Sequence, residues 1–155
     1  MTTAVNAQER RRDLKETVDA LIERRQKTLE AWCNLCGCSD PEQTNVGNIP
    51  DIAPVALKEF LDIMVDYTAM GQFTVYQRII DGQERRKSVQ AAAEAHYPAV
   101  GATTDSLVEF NDRYERFSGA SDDQAELKVE LARLGETLAI RGELEDKILD
   151  ALTAK

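Results

Sequence analysis

The chain has 155 residues, of which 43% are hydrophobic and 30% charged, with three cysteines and one histidine. That is enough for one domain with its own core and too little for two, and the balance is that of a folded protein rather than a disordered one. No stretch is apolar over the roughly 18 residues that a membrane span needs, and Met1 to Arg12 is polar where a secretory signal requires an apolar run, so a single cytoplasmic domain over residues 1–155 is expected.

The net charge of −9 is uneven: residues 1–37 carry +1, residues 38–120 carry −6 and residues 121–155 carry −4. Acid over three-quarters of a chain repels phosphate backbones, so no direct contact with nucleic acid is expected. The same charge attracts a basic protein partner or simply keeps the protein soluble; charge alone does not separate these readings.

Taken in order, the chain reads as helix after helix. Leu14, Val18, Leu21, Ile22, Leu29 and Trp32 fall on one face of a long amphipathic helix that stops at Gly37. Residues 37–53 collect Gly37, Pro41, Gly47 and Pro50 among polar residues, a loop long enough to be functional or mobile. Pro54 suits the first turn of a second helix whose apolar face reads Leu57, Phe60, Leu61, Met64, Val65 and Thr68, with Glu59, Asp62 and Asp66 opposite. After Gly71 the helical pattern resumes through Phe73, Tyr76, Ile79 and Ile80.

The Ala-rich stretch 91–95 predicts a further helix ending before Pro98. Ser106 and Glu109 have capping-box spacing ahead of another, with Leu107, Phe110, Tyr114 and Phe117 as its stripe. Ser121 and Gln124 repeat that spacing before a last helix stepping through Leu127, Leu131, Leu134 and Leu138. The sum is an all-α, antiparallel helical bundle of about five helices.

Continuing the last helix's stepping puts Arg141 and Glu145 on a seam that should be apolar. Either they form a buried polar network, pairing with each other and with a neighbouring helix, or the helix rotates and Leu144 replaces Glu145. Gly135 and Gly142 cost helix propensity nearby, which points to a close approach or a bend.

Sites of chemistry are hard to find. Cys33, Cys36 and Cys38 offer three soft ligands but lack a fourth, so no metal is expected. His96, the one histidine, stands two residues before Pro98 with no lysine one turn on, a poor match to a phosphotransfer imidazole. There is no Gly-rich phosphate loop, no nucleophile elbow and no selected carboxylate pair. Neither catalytic residues nor a cofactor are expected, and the chain reads as a non-enzyme.

The run ALKEFLDIMVDYTAMGQFTVYQRII, from Ala56 to Ile80, resembles the most distinctive segment of the Rsd/AlgQ family, the regulators of sigma D. LGETLAIRGELEDKI, Leu134 to Ile148, is similar to that family's C-terminal signature, and LIERRQKTLEAWCNLCG more loosely to its first helix. The three segments are collinear. Departures fall at Leu21, Cys33 and Gln72, and the cysteine cluster is not a family motif.

The resemblance implies an anti-sigma factor that binds the C-terminal promoter-recognition region of the primary, sigma-70 class factor and sequesters it in stationary phase. It places the interaction, or the pocket supporting it, around Asp66, Tyr67, Phe73, Tyr76 and Arg78. Glu59 and Asp62 share the acidic face with Asp66. A promoter-reading domain is basic enough to meet DNA, so an acidic bundle suits it. The alternative is a generic helical adaptor or a histidine-phosphorelay bundle.

Overall fold

The computed structural model describes residues 2–38, 40, 44–71 and 86–153, with backbone only for 2–7, 10 and 11. Four long helices account for most of them: α1 (Thr2–Cys36), α2 (Pro54–Met70), α3 (Lys87–Tyr114) and α4 (Ser121–Thr153). A 3-10 turn, Val46–Asn48, lies between the first two, and there is no strand among the described residues. The sequence reading of about five helices differs from this. Its segment around Phe73 to Ile80 lies outside the described residues, and its two helices on either side of Pro98 are one.

Each helix begins and ends for local reasons. Gly37 takes φ of 68° and lets the Cys38 N–H reach the Cys33 carbonyl at 3.1 Å, a Schellman closure of α1. Pro54 opens α2 at a first-turn position, where its missing N–H costs nothing. Asp122 and Asp123 sit in the first turn of α4, where negative charge suits the helix dipole.

α3 is the main departure from expectation. It runs through Pro98 without ending. Its buried residues Val89, Ala93, Val100, Leu107, Phe110 and Tyr114 step by fours, threes and sevens across the proline, so one continuous stripe packs on α4. Burial of that stripe outweighs the hydrogen bond that a proline removes. Ser106 is therefore mid-helix and caps nothing; its hydroxyl donates to the Ala102 carbonyl one turn back.

The helices form a ring in which α1 packs on α2 and α4, and α3 on α2 and α4. Cross-links fix the directions. Arg24 reaches Asp66 while Gly37 meets Pro50, so α1 and α2 are antiparallel. Trp32 meets Leu131 and Arg25 meets Asp146, which makes α1 and α4 antiparallel too. Arg113 faces Glu130 and Arg141 faces Thr103, giving the same sense to α3 and α4. This is up-down-up-down topology.

Two expected core positions are on the surface: Ile22 is 40% exposed and Val65 is 43% exposed. The buried stripe of α1 runs Val18, Leu21, Thr28, Trp32 and Leu35, with half-buried Arg25 between, and Ile22 falls one position off it. In α2 the stripe includes Tyr67 and leaves Val65 outside.

The loop after α1 is anchored where it is described. The Gln124 amide accepts from the Ile52 N–H at 2.8 Å and donates to the Ile52 carbonyl at 2.9 Å, pairing like a strand. Gln124 is thus a buried clamp on the loop. Lys128 adds an ion pair to Asp51 at 2.6 Å.

Candidate functional site

The most unusual chemistry in the bundle is at its centre. Arg141 and Glu145 are both fully buried, one turn apart on α4, with the Arg141 Nε 3.5 Å from the Glu145 Oε2. Leu144 is only half-buried, so the helix is not rotated to place it on the seam. A buried pair of this kind needs further partners, and three helices supply them. From α3, Thr104 and Thr103 accept hydrogen bonds from the Arg141 Nη1 at 2.7 and 3.1 Å.

From α2, the Tyr67 hydroxyl donates to the Glu145 Oε1, and the Tyr67 ring lies 5.3 Å from the Arg141 guanidinium carbon. From α1, Arg25 is 2.8 Å from Asp146 and 3.6 Å from Glu145. Two cations therefore face two carboxylates.

Protonation follows from these contacts. Burial, then the charge of Glu145, pushes the Tyr67 phenol up, so it stays protonated and donates to the carboxylate. Burial of Arg25 works against its charge, but the hydrogen bond and charge of Asp146, with Glu145 behind, hold its pKa above the ordinary value. Among the described residues the Arg141 Nε and Nη2 are buried without hydrogen-bond partners, so the Nε contact with Glu145 is an ion pair.

Tyr67 was expected at or beneath an interaction surface; it is 1% exposed and belongs to this interior network. The sequence held the signal, since 60, 64 and 67 step by four and three on the buried side of α2. Arg25, Thr103 and Thr104 were missed. Polar residues on a helix stripe announce burial only once a partner charge at the same level is known.

The outer face of α2 carries Glu59, Asp62 and Asp66, all exposed, because Leu57, Phe60, Leu61, Met64, Tyr67 and Thr68 take the inner side. Asp66 is not a bare charge: its Oδ2 accepts from the Arg24 Nε at 2.7 Å across the α1–α2 seam. Asp62 edges a groove of about 520 Å³ between α2 and α3, lined also by Lys58, Val65, Asn111 and Glu115. Phe73, Tyr76 and Arg78 lie outside the described residues.

His96 is half-buried in the middle of α3 rather than at a helix end, so the helix-end argument against a phosphotransfer role does not hold. What remains is the lack of a lysine one turn on. Among the described residues no group of three or more His, Cys, Asp or Glu side chains is placed to hold a metal ion. No described helix is long and apolar enough to cross a membrane.

Compared with known proteins, residues 1–153 match the family model described as regulator of RNA polymerase sigma(70) subunit, Rsd/AlgQ. A protein of Yersinia enterocolitica named regulator of sigma D is 30% identical over 135 residues, covering 86% of this chain and 78% of that protein. One of the same name from Escherichia coli O139:H28 is 29% identical over 154 residues, 97% of this chain and 94% of the other. No solved structure matches. With a family model matched from the first helix to the last, the chain belongs to the Rsd/AlgQ family of regulators of the RNA polymerase sigma(70) subunit.

Proposed function

We propose that this protein is a cytoplasmic anti-sigma factor that binds the C-terminal promoter-recognition region of the primary sigma factor and sequesters it, chiefly in stationary phase. The observation that carries the reading is the family match over residues 1–153. The protein acts by occupancy and not by catalysis, as a steric and electrostatic substitute for promoter DNA.

The surface assigned to the contact is the acidic outer face of α2, with Glu59, Asp62 and Asp66 supplying charge. Phe73 and Tyr76 supply contact area, with Arg78 beside them, the usual division between an aromatic centre and a charged rim. Tyr67 contributes from inside, by holding α2 in register against α4. A helix-turn-helix surface that meets DNA phosphates presents the basic groups that such a face attracts. Because Asp66 is already paired with Arg24, an incoming cation shares or displaces that contact.

Calorimetric titration with the isolated C-terminal region of the primary sigma factor tests this. Binding is expected to weaken as added salt shortens the Debye length, about 10 Å at 0.1 M. Asp66→Arg is expected to weaken it further. The exchange Arg24→Asp with Asp66→Arg restores the ion pair within the bundle but not the charge offered outward, so it should bind as poorly as Asp66→Arg alone. Absence of any complex at low salt sinks the reading; full recovery by the exchange would show that Asp66 serves the fold alone.

A further inference from the structure

The family's function leaves one cluster of reactive groups unused: the three cysteines at the end of α1. They are free thiols, with Cys36 buried and Cys33 and Cys38 part-exposed. The helix cap decides which two meet. In a Schellman closure the residue after the glycine folds back over the last helical turn, and the Cys38 N–H to Cys33 carbonyl bond of 3.1 Å fixes that fold here. The turn thus brings Cys38 back over the last turn of α1, where it bears on the Cys33 thiol.

The Cys38 sulfur accepts from the Thr44 hydroxyl at 3.2 Å. Burial, with Cys38 beside it, pushes the Cys33 thiol up to about 11, so Cys33 keeps its proton and Cys38, part-exposed, is the sulfur left to attack. Burial likewise pushes Cys36 up to about 12, and with 1% exposure it stays out of reach.

We propose that Cys33 and Cys38 form a dithiol–disulfide site at the C-terminal cap of α1, oxidised by hydrogen peroxide. The Cys38 thiolate attacks one peroxide oxygen, the O–O bond breaks and hydroxide leaves, taking a proton to become water. The Cys33 thiol then loses its proton and attacks the resulting sulfenic sulfur; the S–S bond forms and the sulfenic oxygen leaves as a second water. Two thiols are oxidised to one disulfide, and one peroxide is reduced to two waters. The new bond ties the cap of α1 across Gly37, where an added Cβ would stand 3.4 Å from the Pro50 Cδ.

The test uses the full chain, reduced, freed of reductant and exposed to hydrogen peroxide, then unfolded in denaturant so that Cys36 is reachable, alkylated and mapped by mass spectrometry. The expected product is a monomer lighter by two hydrogens, with one alkylated cysteine that fragmentation places at Cys36, and all three thiols returned by a reductant. Cys36→Ser should still form the internal bond, whereas Cys33→Ser and Cys38→Ser should not. The proposal is overturned by alkylation remaining at Cys33 or Cys38, by a sulfinic acid on one cysteine in place of the bond, by linked dimers, or by no reaction. The wild-type map decides even if a variant fails to fold.

Discussion

α1 and α4 meet twice, and the two meetings are held by different physics. Near the C-terminal end of α1, the Trp32 ring lies against the backbone of α4 at Gly135, so close that a Cβ there would stand 2.3 Å from Cζ2. One neutral hydrogen bond, from the indole N–H to the Leu131 carbonyl at 2.9 Å, completes the contact. Two turns further back, Arg25 reaches Asp146 and Glu145, and Arg141 stands behind them. The first contact depends on shape and tolerates no added atom. The second depends on charge balance and tolerates no missing partner.

That contrast is best broken at the charged end. Glu145→Ala leaves the buried Arg141 without its carboxylate and Tyr67 without its acceptor, and should lower stability by about 4 kcal/mol, the scale for one partner lost from a buried pair. Urea unfolding followed by circular dichroism measures it; a loss below about 1 kcal/mol would mean that water or another group replaces the carboxylate.

At the other end, Gly135→Ala gains about 1 kcal/mol of helix propensity yet should cost about 2 kcal/mol net, because the rigid ring cannot yield to the new methyl. Trp32→Leu introduced into the Gly135→Ala background should recover part of that loss. If the two changes simply add, the contact is not the cause.

The comparison is sharpened by removing both charges together. Arg141→Met with Glu145→Gln keeps an acceptor for the Tyr67 hydroxyl and removes the desolvated ions, so it should change stability by only about 1 kcal/mol in either direction. A loss as large as that of Glu145→Ala would instead show that the guanidinium's bonds to Thr103 and Thr104 matter more than charge balance.

Much of the bundle was legible in the sequence because period and punctuation agreed. Gly37 ends α1, Pro54 starts α2 and the leucines of α4 step along a real seam. Pro98 misled because a local rule was weighed without the stripe from Val89 to Tyr114 that spans it. Gln124 was read as a cap when its amide had a loop backbone to hold, a contact 72 residues away in sequence that no local pattern encodes. The site divides the same way. An acidic outer face follows from helix periodicity alone, whereas the depth of Tyr67 and the convergence of Arg25, Thr103 and Thr104 on Arg141 depend on which helices become neighbours.

The tryptophan contact has a spectroscopic consequence. Trp32 is the chain's one tryptophan, fully buried, with its indole N–H committed to a backbone carbonyl. The intrinsic emission of the protein is therefore an unlabelled gauge of the α1–α4 spacing, blue-shifted and shielded from aqueous quenchers while the helices stay together. A partner that docks on the outer face of α2 and leaves the bundle intact will not move that signal; one that pries the helices apart will redden it.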